Sequence, residues 1–205
     1  MVSGTLTRAF PATVRRLTVL AVLLTLTVAV TNAECVSSKF KKTLEAAEKG
    51  DFKAQNTIGY MYAKGEGVTQ DWSKAEEWFK KAADEGYAKA QYNLGYMNII
   101  GRGMKRNYIA AIAWFEKAAK GSSAAAQYSL GLIYAQGAGV KKDLAKAAKW
   151  FLDAAKNGHT TAQLDMGFIY YGGYGVKENR EESRKWFKKA AEGGHPLAKP
   201  MLDYL

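Results

Sequence analysis

Apolar residues recur at helical spacing along most of the chain, in two alternating stripes. In the first stripe Ala54, Ile58, Met61 and Tyr62 fall at positions i, i+4, i+7 and i+8, which places them on one side of an α-helix. After two glycines a second stripe begins, with small residues around an aromatic pair: Ala75, Trp78, Phe79, Ala82 and Ala83. The pattern therefore predicts two short helices, each with one apolar side, joined by a tight turn.

This two-helix pattern recurs every 36 residues without insertion or deletion. An Ala-Gln pair opens each copy, a G-x-G motif lies in its middle, and a Trp-Phe pair followed by two alanines closes it. The copies span residues 54–89, 90–125, 126–161 and 162–197, preceded by a half repeat at 34–53 and followed by a capping helix at 198–205. One helical pair cannot bury its aromatic residues, but stacked copies can, so Trp150 and Phe151 of the third copy are both expected in the core.

Each predicted copy carries its own helix start and stop signals. Gly65 lies where a helix ends in the left-handed conformation, and Asp71 lies where the next helix needs an N-cap. Gly59 lies inside the first helix, where glycine costs about 1 kcal/mol relative to alanine. We expect close approach of the second helix to compensate, with the small residue of that helix facing the glycine: Ala75, Ala111, Ala147 and Ser183 in the four copies.

The motif A-Q-x-x-L-G-x-x-Y-x-x-G-x-G-V, continued by W-F-x-x-A-A-x-x-G, resembles the Sel1-like repeat, a relative of the tetratricopeptide repeat. The resemblance implies an all-α fold, a right-handed α-solenoid of helix–turn–helix repeats. It also implies non-catalytic binding of a protein or peptide by a monomer, because similar proteins act as adaptors in endoplasmic-reticulum quality control, bacterial envelope assemblies, polysaccharide export and host-cell entry. The second copy departs most from the motif, at Asn98 and at Gly121-Ser122-Ser123, and we expect looser packing there.

The first 33 residues have the composition of a secretory signal. They contain no acidic residue and three arginines, with a 14-residue apolar run from Leu17 to Val30 and small residues up to Ala33. This order predicts a signal peptide at 1–33, cleavage after Ala33 and an exported protein, periplasmic or secreted. An uncleaved anchor is the alternative, although a membrane span needs about 20 apolar residues. Cys35, the only cysteine, is then either unpaired or joined to a second molecule.

The first helix of each copy is apolar on nearly every side, which predicts a contact surface besides the core stripe. In a tetratricopeptide-like solenoid the first helices line the concave side, where tyrosines offer a ligand both apolar area and a hydroxyl. The predicted partner-binding residues are Tyr60, Tyr92, Tyr96, Ile99, Ile100, Tyr128, Leu132, Leu164, Phe168 and Tyr171. The alternative is that these side chains pack between repeats and tighten the superhelix.

A formal net charge of +11 makes nucleic acid a candidate partner. An exported protein leaves the compartment that contains nucleic acid, so we predict no nucleic-acid binding. Residues 34–205 contain 27 basic and 19 acidic residues, a balance of +8. The excess lies in the second and third copies, which have five basic residues against one acidic and five against two. The basic loops, defined by Arg102, Lys105, Arg106, Lys141 and Lys142, indicate weak contact with an acidic partner or an anionic envelope polymer, or only a solvated edge.

Residues that could carry catalysis are few. Ser38 and Lys41 have the S-x-x-K spacing of penicillin-recognising enzymes, but the companion triplets S-D-N and K-T-G are absent from the sequence. His159 and His195 are 36 residues apart, too distant in stacked repeats to share a zinc ion, and we interpret both as turn residues. We therefore predict no enzyme activity, no metal and no cofactor. A β-lactamase-like envelope enzyme is the alternative, because cysteine-rich relatives of the family are linked to β-lactam hydrolysis, although this chain lacks their paired cysteines.

Overall fold

The computed structural model describes residues 38–204 of the 205-residue chain. Regular structure in this part of the chain is entirely helical: α1 (residues 38–48), α2 (Phe52–Lys64), α3 (Trp72–Asp84), α4 (Ala88–Ile100), α5 (Tyr108–Lys120), α6 (Ala124–Gln136), α7 (Leu144–Lys156), α8 (Thr160–Gly172), α9 (Arg180–Glu192) and α10 (Ala198–Tyr204). No helix within these residues is long and apolar enough to cross a membrane. The predicted signal peptide at 1–33 and Cys35 lie outside the described residues.

The helices pack in the order in which they follow one another. The first helices of the repeats (α2, α4, α6 and α8) pair with the second helices (α3, α5, α7 and α9), and each second helix packs on the next first helix. At one end Ala47 of α1 packs with Ile58, and at the other Ala198 of α10 packs with Phe187. This arrangement confirms the predicted all-α solenoid.

The caps and turns form where the sequence predicts them. Asp71 accepts a hydrogen bond from the backbone N–H of Lys74 at 3.0 Å, and Asn107, Asp143 and Asn179 cap the other second helices in the same way. Gly65 ends α2 with φ +73°, a left-handed conformation that favours glycine. The second glycine of the G-x-G turn lies against the preceding repeat in the second, third and fourth repeats: Gly103 meets Trp72, Gly139 meets Tyr108 and Gly175 meets Leu144. The turns therefore join neighbouring repeats as well as the two helices of one repeat.

The glycine inside each first helix faces an aromatic ring. A Cβ added to Gly131 would lie 2.6 Å from two ring atoms of Phe151, and Gly59, Gly95 and Gly167 meet Phe79, Phe115 and Phe187 equally closely. Close approach of the second helix is thus confirmed, but the atoms nearest to an added Cβ belong to the phenylalanine ring, which the sequence did not predict there. The small residue lies beside this contact in the last repeat, where the Ser183 hydroxyl donates to the Gly167 carbonyl oxygen at 2.8 Å.

In three of the four Trp-Phe pairs the two residues differ in burial, whereas Trp186 and Phe187 of the last repeat are both buried. Phe151 is 6% exposed, whereas Trp150 is only partly buried at the margin of the same core cluster. Lysines one helical turn further on cover the tryptophans of other repeats, with Lys81 Nζ 4.0 Å from the Trp78 ring centroid and Lys117 Nζ 4.1 Å from that of Trp114. The expectation that Trp150 lies in the core is therefore wrong, and the phenylalanine is the buried member of this pair.

The second repeat is as closed as its neighbours. Phe115 and Ala111 have no exposed surface, and the buried Asn98 amide donates to the Leu94 carbonyl oxygen at 2.8 Å. The expected looser packing is wrong, because this internal hydrogen bond satisfies the amide that replaces a tyrosine. The irregular closing segment does have a cost: Ser122 adopts φ +58°, at the position where Gly86 and the corresponding residues of other repeats are glycine.

We expect Ser122→Gly to stabilise the protein by about 0.5–1 kcal/mol, because glycine adopts the left-handed region freely and loses only part of that gain as unfolded-state entropy. The glycines at the equivalent positions have no atom within 4 Å of an added Cβ, so conformation and not space selects glycine there. Urea unfolding measures the change. Ser122→Ala is the control and should give no gain, and equal stabilisation by both variants would contradict the explanation.

Candidate functional site

The first helices present one common side, which we call the first-helix face. Polar side chains of neighbouring first helices meet on it: Asn93 Nδ2 of α4 donates to Asn56 Oδ1 of α2 at 2.9 Å, and the Tyr128 phenol of α6 lies beside the Asp165 carboxylate of α8. These pairs hold successive first helices side by side. At each of these two places the face is therefore built from two neighbouring first helices.

Four predicted partner-binding residues form an exposed apolar row on this face. Tyr60, Tyr96, Leu132 and Phe168 are spaced by 36 residues, and they are 46%, 51%, 37% and 39% exposed. Each follows one of the polar residues Asn56, Asn93, Tyr128 and Asp165 by three or four positions in its helix. Residues at this spacing lie on the same side of a helix, so all four share the first-helix face. We call these four residues the apolar row. Tyr204 of α10 continues the same 36-residue spacing and is 78% exposed. It was not among the predicted partner-binding residues, although the repeat period places it in line with the apolar row.

The apolar row rests on the core. The Tyr60 ring meets Phe79 edge-to-face with centroids 6.2 Å apart, and Phe168 meets Phe187 in the same way at 5.0 Å. One side of each ring is therefore held by the phenylalanine that fills the glycine contact, while the other side is exposed. Rings supported in this way lose little conformational freedom when a ligand covers them.

The other predicted residues are less accessible. Tyr92 and Tyr128 lie on Phe115 and Phe151, with centroids 5.5 Å and 5.4 Å apart, and Ile99 also packs against the core. For these three residues the alternative of packing between helices describes the observed contacts. Leu164 is only 5% exposed, because α10 covers it, and we remove it from the predicted surface as a correction.

Tyr171 and Ile100 each line a pocket together with a residue of the apolar row. Tyr171 lines a small apolar cavity of about 90 Å³ at the end of the array, together with Phe168 and Met201. Ile100 lies beside Tyr96 at the edge of a wider groove next to the second-repeat turn. Both residues therefore stay candidates for partner contact, whereas Tyr92, Tyr128 and Leu164 serve mainly the interior.

A group of titratable residues lies where α6 and α8 meet. Burial, and then the neighbouring Asp165 charge and its hydrogen bond, raise the pKa of Tyr128 to about 12. Burial also raises the pKa of the Asp165 carboxyl, against the opposing effects of the Tyr128 hydrogen bond and the charges of His159 and His195. His159 stacks on Tyr128 with centroids 4.3 Å apart, and burial lowers its pKa. The phenol thus stays neutral and acts as a hydrogen-bond donor.

Both histidines occupy helix starts, as predicted. His159 Nδ1 accepts a hydrogen bond from the Ala162 N–H at 3.1 Å and caps α8, and His195 Nδ1 accepts from the Leu197 N–H at 3.3 Å. Within residues 38–204 no group of three His, Cys, Asp or Glu side chains is placed to hold a metal ion. Ser38 and Lys41 are both exposed on α1.

We expect the protein to lose stability as the pH falls below the ordinary histidine pKa of 6.5. Because the folded-state pKa of His159 is lowered, the unfolded chain takes up this proton more readily, and protonated Nδ1 cannot accept the cap bond. The pKa of Asp165 is raised, so this residue acts in the opposite sense and at lower pH. Its contribution to stability is present below the ordinary carboxyl pKa of 3.8 and is lost as the pH rises above that value. His159→Asn keeps a cap without a titrating group, so urea midpoints at about pH 7.5 and about pH 5.5 should differ less in this variant. Equal pH dependence in both proteins would contradict this role.

The basic loops are exposed, as predicted from the sequence. Arg102, Lys105 and Arg106 lie in the turn of the second repeat, and Lys141 and Lys142 lie in that of the third. None of the five forms an ion pair with a carboxylate of residues 38–204. The guanidinium of Arg102 lies 5.9 Å from the Trp72 ring centroid in the preceding repeat.

The fold has solved relatives in bacteria. A protective antigen present in uropathogenic Escherichia coli strains, described as displaying an SLR fold, is 39% identical with a TM-score of 0.77, over 80% of this chain and 35% of that one. A Sel1 repeat protein from Oxalobacter formigenes is 35% identical with a TM-score of 0.76, over 80% of this chain and 66% of that one. The cysteine rich protein B of Helicobacter pylori is 29% identical with a TM-score of 0.50, over 62% of this chain and 96% of that one.

This chain thus spans about a third of the length of the first of these structures and about two thirds of the second. A comparison with curated proteins finds no match to the sequence. The family model "Sel1 repeat" matches residues 53–87, 88–123, 124–159 and 160–195. Sel1 repeat proteins are generally protein–protein interaction scaffolds, and their fold is typically non-catalytic. Four consecutive matches over most of the described residues show that the chain belongs to the Sel1 repeat family.

Proposed function

We propose that this chain is an exported, non-catalytic scaffold or adaptor that acts as a monomer and binds a protein or peptide on the first-helix face. The apolar row carries the proposal, because four large apolar side chains, each more than a third exposed, occupy one position in four successive repeats. Single exposed apolar residues are ordinary on soluble proteins, but a regular row is typical of an interaction surface. In a solenoid the curvature of the array makes such a face an extended concave surface.

Polar groups beside the row support peptide binding. The paired amides of Asn56 and Asn93 keep further hydrogen-bonding capacity, since each amide has two donors and an acceptor with two lone pairs. Asp165 contributes a half-buried carboxylate near the other end. A bound segment would place its side chains on the apolar row and its backbone against these polar groups.

Export rests on the composition of the first 33 residues. The proposed mature protein begins at Glu34, which intact-mass measurement of the protein from the envelope or medium of expressing cells would identify. Retention of those residues would favour the anchor, and recovery only from the cytoplasm would contradict export.

The binding proposal is tested with a row variant, Tyr96→Ser with Leu132→Ser and Phe168→Ser. Random peptides displayed on phage are first selected on the wild-type protein, and the affinity of the selected peptides for each variant is then measured by fluorescence anisotropy. Central apolar anchors contribute about 2 kcal/mol or more each, so we expect the row variant to bind at least about 30-fold more weakly. Circular dichroism verifies that it stays folded, as exposed side chains allow.

A matched control replaces three apolar residues that are even more exposed, at 61%, 58% and 59%, but are not on a first helix: Ile109→Ser with Tyr174→Ser and Leu197→Ser. This control should bind the selected peptides as the wild type does. A folded row variant with unchanged affinity, or an equal loss in both variants, would sink the proposal.

A further inference from the structure

A groove opens between the turn of the second repeat and the start of α3. Its volume is about 650 Å³, and its lining includes Trp72, Tyr96, Ile100, Arg102, Arg106 and Tyr108. We call it the loop groove. It shares Tyr96 with the apolar row, but most of its lining comes from the turn and from the starts of second helices.

The cations of the loop groove have no carboxylate partner among the described residues. Neither Arg102 nor Arg106 forms an ion pair there, and the repeat that contains them has five basic residues against one acidic. Asp71, next to Trp72, is engaged at the start of α3, where it caps the helix and lies 3.8 Å from Lys74 Nζ. The guanidinium groups are therefore available to an anion from outside.

The apolar part of the lining includes two aromatic side chains, Trp72 and Tyr108, each of which is contacted by a glycine of a G-x-G turn. Gly103 lies against Trp72, where an added Cβ would be 2.7 Å from the tryptophan Cβ, so the turn packs on the base of this side chain. Tyr108 is similarly met by Gly139 of the next repeat. Two aromatic side chains fixed at their bases thus stand beside two arginines, a composition that is enriched where protein interfaces concentrate their energy.

We propose that the loop groove binds an acidic peptide segment that carries an aromatic or large aliphatic side chain beside its carboxylates. Arginine presents two parallel N–H groups that match a carboxylate, and the neighbouring side chain of the peptide fills the space between Trp72 and Tyr108. This selectivity goes beyond the binding proposed for the apolar row and does not depend on it, because a groove ligand needs only Tyr96 from that row.

A peptide fits the lining better than a uniformly charged polymer. A polyanion gains from a long series of cations, but the loop groove offers two guanidinium groups, and Lys141 and Lys142 belong to the next turn. A polymer without apolar groups would leave Trp72, Ile100 and Tyr108 uncovered. The mixed lining therefore favours a ligand that alternates charge with apolar area.

The test uses the full chain and fluorescein-labelled synthetic peptides in which Asp and Glu, Ser and Gln, or Lys and Arg alternate with Trp and Leu. We expect the acidic set to bind tightest, and to lose at least about tenfold in affinity in Arg102→Glu/Arg106→Glu. Arg184→Glu/Lys188→Glu makes the same charge change on the exposed side of α9 and should leave the affinity within about twofold. Arg102→Lys/Arg106→Lys keeps the charge and should still weaken binding, because lysine lacks the planar pair of donors.

Four results would overturn the proposal. Equal binding of the acidic and neutral sets would remove the role of the arginines. Equal loss in the α9 variant, or tight binding of polyglutamate and heparin with no loss in the lysine variant, would show a general attraction of polyanions instead. A row variant that keeps the shared Tyr96, Tyr60→Ser with Leu132→Ser and Phe168→Ser, separates the two sites when it is measured with the same peptides, since loss in that variant with none in Arg102→Glu/Arg106→Glu would leave the first-helix face as the binding surface and reject the groove.

Discussion

Phe151→Ala should lower the free energy of unfolding by about 3–5 kcal/mol, the usual cost of removing a large buried aromatic side chain. Phe151 is almost fully buried, its ring is in contact with Gly131, and Tyr128 covers it at 5.4 Å between centroids. The cavity cannot be filled locally, because glycine has no side chain that could move into it. Since single domains have only about 5–15 kcal/mol in total, urea unfolding should show a large shift of the midpoint.

Trp150→Ala is the matched control, since the two residues are adjacent and both aromatic. Trp150 is only partly buried, so we expect about 1–2 kcal/mol, in proportion to the apolar area it removes from water. If Trp150→Ala costs as much as Phe151→Ala, the tryptophan and not the phenylalanine is the main core residue, and the burial described above is incorrect.

Gly131→Ala should destabilise the protein although alanine favours helices. The gain in helix propensity is about 1 kcal/mol, but the new Cβ would lie 2.6 Å from the Phe151 ring, and overpacking of a filled core costs about 1–3 kcal/mol. The ring has no room to retreat, because Tyr128 packs against it. We expect a net loss of up to about 2 kcal/mol in urea unfolding.

Gly172→Ala provides the comparison, because Gly172 ends α8 at the surface and an added Cβ meets only the ring of Tyr174, which is exposed and can turn away. That variant should be neutral or slightly more stable. Phe151→Leu combined with Gly131→Ala should cost less than the two single changes together, because the smaller side chain makes room for the methyl group. Strict additivity would show that glycine is present for another reason.

The repeat period made most of the fold predictable. Each copy contains its own signals for helix starts and helix ends, and these signals recur at the same position in all four copies. The roles of Asp71, Gly65 and their equivalents could therefore be predicted correctly. The burial of the Trp-Phe pair was harder, because adjacent helical residues point about 100° apart and both are apolar. Only the position of the neighbouring first helix, with its glycine, decides that Phe151 points inward.

The surface was predictable only in part, for a similar reason. Residues at one repeat position look equivalent in an alignment, yet Leu164 is buried and its counterparts Tyr92 and Tyr128 are not, because α10 follows only the last repeat. Tyr204 shows the converse, since it continues the spacing of the apolar row from a helix outside the four copies. The loop groove was not predictable, because it combines residues of two repeats, such as Trp72 and Arg102, whose distance is set by how the repeats stack.

The contacts of the G-x-G turns bear on how the array comes apart. The turns of the second, third and fourth repeats pack against the second helix of the preceding repeat, through Gly103 on Trp72, Gly139 on Tyr108 and Gly175 on Leu144. Local unfolding of one repeat therefore removes a packing contact from its neighbour. Unfolding should then propagate along the chain and not stay confined to one copy. Within residues 38–204, α1 and α10 lie at the two ends of the array, so their amide protons should exchange with solvent first, and those of α5 and α6 last.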